Sequence, residues 1–511
     1  MIMKKIWFPV LSVLLWSTIL QAQDKQLTLE DAVINQQRDL APESLDGIMP
    51  YGENDFTYVK DYSQIIKISG DQGEQETIYN LGNINRLRND ADLQPLPYFP
   101  YWDYQWLSED LLMFKNGREI CITDVNDEKL SAVIQLDENA ENISFHQASQ
   151  NTAYTLENNL FLRTGEGEIK AVTDDKDKGI VNGDGYVHRQ EFGIKKGIFW
   201  APSGERLAFY RKDERMVADY PLVDITTRIA SHKPEKYPMI GEKSEEVTLG
   251  IYDLKTKKTV FADVTDFTDE RYLTSITWDP SGDYVYIGVL NREQKHLKLN
   301  KYNAKTGGFV QTLFEEKNPR YVEPENPLYF ADNKPNRFLW FSERDGYDHL
   351  YLYNSKGKLI RQITQGRWVV KDFIGFDKKG KHAYFTASKN SPLETHYYKA
   401  DLKSGKISKL TGPKGVHQVV FSNSKQKLID SYSSLKVPGK TALTDENGKQ
   451  IKLLVDSEDP LSDYNLGEMS IGTIKAADGE TDLYYRMITP PDFDPKKKYP
   501  VILYVYGGPH A

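Results

Sequence analysis

Residues 278–288 read WDPSGDYVYIG, a stretch in which an aromatic residue and a short polar turn lead into an apolar strand. Two other stretches follow the same plan, WAPSGERLAFY at 200–210 and FDKKGKHAYFT at 376–386. Proline, serine and glycine in the middle of each copy are typical of tight turns between strands. Weaker copies begin at Phe145, Phe330 and Phe421. The pattern indicates one β-rich unit that the chain uses many times.

The spacing of these copies predicts the fold. The starts at 278, 330, 376 and 421 are 52, 46 and 45 residues apart. Periods of about 40–50 residues with four strands each are typical of propeller blades, which stack in a ring because one blade cannot bury both of its faces. Further units at 51–81 and 106–136 bring the number to about eight. We therefore predict an all-β, eight-bladed β-propeller over residues 23–459, with an insertion near 213–244.

The N-terminus has the layout of a secretory signal peptide, residues 1–22. Lys4 and Lys5 precede an apolar run from Ile6 to Leu20, and cleavage is expected after Ala22. An uncleaved membrane anchor is the alternative, but the run is short for a bilayer span of about 20 residues, so no stable membrane insertion is expected.

Composition narrows the class of protein further. With Cys121 as its one cysteine, the chain cannot form an internal disulfide. Because large secreted eukaryotic proteins usually carry several disulfides, a bacterial periplasmic or secreted location is expected. The formal net charge of −9 argues against nucleic acid as a partner.

The last part of the chain differs from the repeats. Residues 460–469 are typical of a linker and 471–490 of a hairpin, and YPVILYVYGGP at 499–509 indicates a buried strand that runs into a Gly-Gly turn. In α/β-hydrolases such a strand and turn supply part of the oxyanion hole. We therefore expect residues 460–511 to be a linker and the first strands of a truncated α/β-hydrolase domain.

Motifs for catalysis and for cofactors are absent from the sequence. No Gly-x-Ser-x-Gly nucleophile elbow, zinc motif or phosphate-binding glycine loop occurs, so we expect no cofactor and no metal, and no catalytic triad within these 511 residues. One polar segment, 186–193, contains Glu191 in what the preceding glycines indicate to be a loop. A carboxylate near the channel could hold a cation such as a peptide α-amine. The alternative is a surface ion pair between Arg189 and Glu191.

Four segments resemble one known family. YPVILYVYGGP at 499–509, the loop and turn at 187–202, SERDGYDHLY at 342–351 and LTLEDA at 27–32 are similar to the dipeptidyl peptidase IV family of serine peptidases, in the prolyl oligopeptidase superfamily. That family joins an eight-bladed propeller to an α/β-hydrolase domain. Its Ser-Asp-His triad removes an N-terminal dipeptide, or in some bacterial members a tripeptide, usually after proline.

The resemblance implies roles for two residues. Tyr506 matches the tyrosine whose hydroxyl stabilises the oxyanion, and Glu191 matches a glutamate that binds the free amino group of the substrate. The single glutamate, flanked by Arg189 and Gln190, is closer to bacterial prolyl tripeptidyl peptidases, so dipeptide or tripeptide release stays open. The implied partners are peptides with a free N-terminus, and a homodimer through the hydrolase domain is compatible with the family. A propeller that binds a ligand without catalysis is the alternative function.

Overall fold

The computed structural model describes residues 25–268, 270–332 and 334–507, and these residues form two compact units. The larger unit is Ser44–Asp456. The smaller one combines the two ends of the chain, of which residues 25–43 and 457–507 are described. The predicted signal peptide, 1–22, lies outside the described residues.

The larger unit is a β-propeller of eight blades, each an antiparallel sheet built from consecutive strands. Blade 1 consists of Asp46–Tyr51, Asp55–Lys60, Gln64–Ile68 and Gln75–Asn80, and blade 2 of Tyr104–Trp106, Leu111–Asn116, Glu119–Asp124 and Lys129–Gln135. Blade 3 consists of Glu141–His146, Asn151–Leu156, Asn159–Arg163 and Ile169–Ala171, and blade 4 of Ile180–Asn182, Ile198–Trp200, Arg206–Asp213, Glu246–Asp253 and Lys258–Phe261.

The second half of the ring follows the same order. Blade 5 consists of Arg271–Trp278, Tyr284–Asn291, His296–Asn303 and Phe309–Lys317, and blade 6 of Tyr329–Asp332, Lys334–Ser342, His349–Asn354 and Leu359–Gln362. Blade 7 consists of Val370–Phe376, His382–Ala387, His396–Asp401 and Ile407–Lys409, and blade 8 of Val416–Phe421, Lys427–Ser434, Val437–Asp445 and Gln450–Ser457. The predicted all-β fold with eight blades is confirmed.

The aromatic residue of the repeat ends the first strand of a blade and joins it to the preceding blade. The indole N–H of Trp278 donates to the Phe199 carbonyl at 2.9 Å, and that of Trp200 to the Ser144 carbonyl at 3.1 Å. The glycine of the following turn has a positive φ, +74° at Gly282, which suits a residue without a Cβ. The repeat thus encodes both the turn and the contact between neighbouring blades.

The ring closes by packing between blade 8 and blade 1. Phe56 and Ile68 of blade 1 share a buried cluster with Ile429 and Leu443 of blade 8. The Ser424 N–H also donates to the carbonyl of Glu53 at 3.0 Å. Because each blade is one contiguous stretch of chain, no strand is exchanged between the two ends, and burial of apolar side chains supplies the closure.

Three segments depart from the plain blade pattern. A helix, Leu81–Asp90, follows blade 1, and the side chain of Asn80 caps it by accepting the N–H of Asn83. Between the second and third long strands of blade 4, the chain forms an arm with two short ladders, Asp219–Tyr220 with Glu235–Lys236 and Val223–Asp224 with Ser231–His232. A 3-10 helix, His188–Gln190, lies in the segment that interrupts the first strand of blade 4.

The smaller unit contains little regular structure. It has a π-helical turn, Asp31–Asn35, before which Thr28 and Asp31 cap each other, and a hairpin of Met469–Lys475 with Asp482–Ile488. Residues 489–507 contain no strand, and the side chains from Val501 to Tyr506 are 67–97% exposed. The expectation of a buried strand here is wrong for this structure. A strand needs neighbours for its backbone hydrogen bonds, and no described strand lies beside this segment.

Candidate amine-binding loop

The first strand of blade 4 is interrupted at mid-length by a loop. Ile180–Asn182 and Ile198–Trp200 pair with opposite ends of the same strand, Arg206–Asp213. Between them the N–H of Gly183 donates to the carbonyl of Tyr210, and the N–H of Tyr210 donates to the carbonyl of Gly197. Residues 184–196, which we call the inner loop, therefore leave the strand and return to the same place.

The inner loop lies at the wall of the central channel. First strands of neighbouring blades contact one another, as Glu141–His146 and Arg271–Trp278 both contact Ile198–Trp200. In a propeller the strands that meet in this way surround the channel. A loop inserted into such a strand is therefore placed where a ligand in the channel could reach it.

Two buried side chains fix the inner loop to blade 5. His188 is 4% exposed, and its Nε2 accepts the N–H of Leu273 at 3.1 Å. Phe192 is 5% exposed and packs on Tyr272 with ring centroids 5.1 Å apart. Burial of the His188 ring, helped by the charge of Lys212, lowers the pKa of His188 to about 3. The ring is therefore neutral and can act as an acceptor.

The backbone of the inner loop is strained. His188, Gln190 and Phe192 have φ of 49°, 60° and 59°, in the left-handed region that side chains with a Cβ disfavour. Residues in such conformations cost on the order of 1–3 kcal/mol each and persist where their surroundings hold them. Gly193 has φ +64°, and a Cβ there would lie 2.2 Å from the carbonyl oxygen of Glu325.

Glu191 is an exposed carboxylate of the inner loop. Its N–H donates to the carbonyl of His188 at 3.1 Å and its own carbonyl accepts the N–H of Ile194, so the backbone is held. Its carboxylate forms no hydrogen bond or ion pair with any residue that the structure describes. The alternative pairing with Arg189 lies outside the described side chains. A held carboxylate without a partner is suited to a cationic group, because charge-assisted hydrogen bonds are the stronger ones.

A cavity of about 220 Å³ adjoins the inner loop. Its walls include Phe192 and Lys196 of the loop, Ser275 of blade 5 and Glu325 of the connection between blades 5 and 6. The mixture of aromatic, apolar and charged groups is typical of sites for small ligands. The lining begins at Phe192, the residue that follows Glu191 in the chain, and does not include Glu191 itself.

The face of the ring beside this cavity is acidic. In an antiparallel blade, the turn between the second and third strands lies on the same face as the connection to the next blade, which places the 343–348 turn and residues 318–328 together. Burial raises the pKa of Asp348 to about 8, and Glu343 and Glu325 add to the effect by repulsion. No sequence pattern singled out Asp348, although it lies in the SERDGYDHLY segment that carries the resemblance.

Tyr506 belongs to the smaller unit. It lies in the segment without a strand, its side chain is 67% exposed, and its hydroxyl forms no hydrogen bond with a described residue. The geometry of an oxyanion hole is therefore not formed by the described residues of this unit, and the role of Tyr506 stays a prediction.

Membrane-spanning helices and metal clusters are both absent from the part of the chain that the structure describes. None of its helices combines the length and the apolar character that crossing a bilayer requires. Among the same residues, no three His, Cys, Asp or Glu side chains are grouped in a way that could hold a metal ion.

Comparison with known proteins agrees with this architecture. The family model described as "Dipeptidyl peptidase IV (DPP IV) N-terminal region" matches residues 115–439. The chain belongs to the dipeptidyl peptidase IV family. A solved structure of a candidate dipeptidyl aminopeptidase IV from Bacteroides ovatus is 36% identical, with a TM-score of 0.87 over 95% of this chain and 70% of that one. The family that the sequence resembles is thus confirmed.

More distant relatives agree in family or in fold. Dipeptidyl peptidase 4 of Trichophyton rubrum is 26% identical over 469 residues, which cover 84% of this chain and 59% of the relative. Dipeptidyl peptidase 4 of Porphyromonas gingivalis is 24% identical with a TM-score of 0.77 over 93% of this chain and 69% of that one, and shows the fold alone. The chain thus spans about 59% of the length of such a curated relative.

Proposed function

We propose that the full gene product is an exported serine exopeptidase that releases N-terminal di- or tripeptides, preferably after proline. In this proposal the propeller limits entry to short or unfolded peptides and binds their free amine. The observation that carries it is Glu191, whose carboxylate has no partner among the described residues and which lies on a strained loop that His188 and Phe192 fix to the channel wall. Membership of the dipeptidyl peptidase IV family supports the reaction class.

Binding of the amine determines which peptide bond is cleaved. An ammonium group held by Glu191 fixes one end of the peptide, and the scissile bond then lies at a set number of residues from it. Such positioning raises the rate because it replaces a random encounter by a bound geometry. Because the loop carries a single glutamate, a second residue from elsewhere could also bind the amine, as in bacterial tripeptidyl peptidases. The proposal therefore includes both dipeptide and tripeptide release.

The hydrolase part of the proposal depends on Tyr506 and on a Ser-Asp-His triad in the hydrolase domain. The serine would attack the carbonyl carbon, the histidine would take its proton, and the Tyr506 hydroxyl would donate to the oxyanion. One such donor contributes on the order of 3 kcal/mol to stabilisation of the transition state. The 511 residues of this chain contain no nucleophile elbow, so by themselves they should not hydrolyse peptides.

Product analysis tests the proposal directly. The full gene product is incubated with peptides that carry proline at position 2 or 3, each with a free or an acetylated N-terminus, and the fragments are identified by mass spectrometry. The proposal expects a di- or tripeptide from the free peptides and no such fragment from the acetylated ones. Binding of the free peptides without cleavage would favour the ligand-binding propeller instead.

Export is tested separately, on the protein from the cell envelope. N-terminal sequencing of the mature form is expected to begin at Gln23, after cleavage at Ala22. A mature form that begins at Met1 would favour the uncleaved anchor.

A further inference from the structure

We propose that His188 and Glu245 are positioning residues that hold Glu191 in its amine-binding place. The proposal rests on the proposed function, since it concerns how the same site is built. Neither residue touches the substrate in this account. They act through the backbone of the inner loop, in which Glu191 follows His188 by three residues.

Glu245 holds the loop from the side of the arm. Its carboxylate Oε1 accepts the backbone N–H of His188 at 2.7 Å, and the residue is 9% exposed. A buried carboxylate that accepts a backbone N–H is a strong, charge-assisted contact. Glu245 directly precedes the strand Glu246–Asp253, so the carboxylate is carried by a firmly paired element.

His188 continues the contact across to blade 5. The Nε2 atom accepts the N–H of Leu273, which requires that Nε2 carry no proton. The ring stacks edge-on against Tyr272, with centroids 5.1 Å apart. From Glu245 through the backbone and ring of His188 to Leu273, one chain of hydrogen bonds crosses the boundary between blades 4 and 5.

A third contact secures the start of the inner loop. Lys212 is 6% exposed, and its Nζ donates to the carbonyl of Tyr186 at 2.9 Å. It also pairs with Glu214 at 3.0 Å. The loop is therefore held before Glu191 by Lys212, Glu245 and His188, and after it by Phe192.

The strain shows why these contacts matter for position. His188, Gln190 and Phe192 have left-handed backbones, whereas Glu191 between them is extended, with φ −64° and ψ 168°. Without the hydrogen bonds at His188, the loop can relax towards ordinary backbone angles, which moves the Glu191 carboxylate. Because the amine is bound in both ground and transition states, the loss should appear in KM rather than in kcat.

Paired variants of the full gene product test this role. Glu245→Ala removes the acceptor, whereas Glu245→Gln keeps a side-chain oxygen at the same reach. Likewise His188→Leu removes Nε2, and His188→Gln places an acceptor near its position. We expect Glu245→Ala and His188→Leu each to raise KM for free-amine peptides roughly tenfold with kcat unchanged. We expect the two Gln variants to stay within about threefold of the parent.

The neighbouring residue provides the matched control. Glu246 is exposed and next to Glu245, so Glu246→Ala removes the same charge without touching the loop and should leave KM unchanged. If Glu245→Ala fails to fold by circular dichroism, Glu245→Asp, which keeps the charge but shortens the reach, gives the KM comparison instead.

The outcomes separate this inference from the proposed function. An unchanged KM in folded Glu245→Ala and His188→Leu, together with a raised KM in Glu191→Gln, would overturn the positioning role alone. An unchanged KM in Glu191→Gln would overturn the amine-binding function itself. Equal losses in Glu245→Ala and Glu245→Gln would also contradict the role, because the acceptor would then not matter.

Discussion

The imidazole rings of His396 and His417 pack against each other at the boundary between blades 7 and 8, with their centroids 4.8 Å apart. Both side chains are fully buried. The ring nitrogens of His417 lie 3.0 Å from the Pro413 carbonyl and 2.8 Å from the Asp430 carboxylate. The neighbouring His417 is one of the groups that lower the pKa of His396.

Acid should weaken this boundary through His396. Burial, Lys409 and His417 lower the pKa of His396, and the hydrogen bond to Glu394 opposes them only in part. A pKa lowered by folding means that the stabilisation is complete above the unfolded value of about 6.5 and is lost as the pH falls through the folded value. We expect the melting temperature of the parent to fall more steeply below pH 6.5 than that of His396→Gln, as measured by thermal unfolding from pH 4 to 8. The same dependence of melting temperature on pH in the parent and in His396→Gln would contradict a role for His396.

The tryptophan contacts between blades should stabilise the ring measurably. Trp278→Phe keeps one six-membered aromatic ring but loses the rest of the indole and its hydrogen bond to Phe199, which should cost at least about 1 kcal/mol, whereas Trp278→Ala should cost about 3–5 kcal/mol. Denaturant unfolding measures both. Trp102, which is 60% exposed, is the control, and Trp102→Phe should change the free energy of unfolding by less than about 0.5 kcal/mol. Equal losses of unfolding free energy for Trp278→Phe and Trp102→Phe would exclude the hydrogen bond between blades as the cause.

Gly193 should tolerate no side chain. Gly193→Ala introduces a Cβ against the Glu325 carbonyl as well as an unfavourable φ, so the inner loop must move. Gly241 also has a positive φ, +83°, but its Cβ would meet open space, which makes Gly241→Ala a control for backbone strain alone. We expect only Gly193→Ala to raise KM for free-amine peptides, by roughly tenfold or more. An equal rise in KM for Gly193→Ala and Gly241→Ala would mean that backbone strain, and not the contact with Glu325, causes the effect.

Tyr506 should act on turnover rather than on binding. In the full gene product, Tyr506→Phe removes a donor that contacts the oxyanion only in the transition state, so kcat should fall roughly 100-fold with KM little changed. Tyr504→Phe, two residues earlier in the same exposed segment, should leave both constants unchanged. Unchanged turnover in Tyr506→Phe would remove it from the mechanism.

Local patterns in the sequence predicted the ring because each blade is encoded locally. Trp200, Trp278 and Phe376 each end the first strand of a blade, so each copy of the repeat marks one blade. The same reasoning was wrong for Val501–Tyr506, since local apolar character favours a strand but cannot supply neighbours for it.

The inner loop was predicted only in part. Glu191 could be selected from its residue type and its resemblance. The contacts of His188 could not, because its partners Glu245 and Leu273 are 57 and 85 residues away in the chain. Such pairs come together only when blades 4 and 5 pack. The positive φ of His188 likewise depends on that packing, and no local signal indicates it.

The central claim is that Glu191 binds the free amine of the peptide. The most direct test is to measure, for Glu191→Gln in the full gene product, KM for a free peptide and the inhibition constant of its N-acetylated form. Loss of a charge-assisted contact predicts a rise in KM of roughly 10- to 100-fold for the free peptide and no change for the acetylated one. Glu325→Gln, which removes an exposed carboxylate that lines the cavity next to the inner loop, should have a much smaller effect. Equal rises for the two peptides, or for the two variants, would contradict the claim.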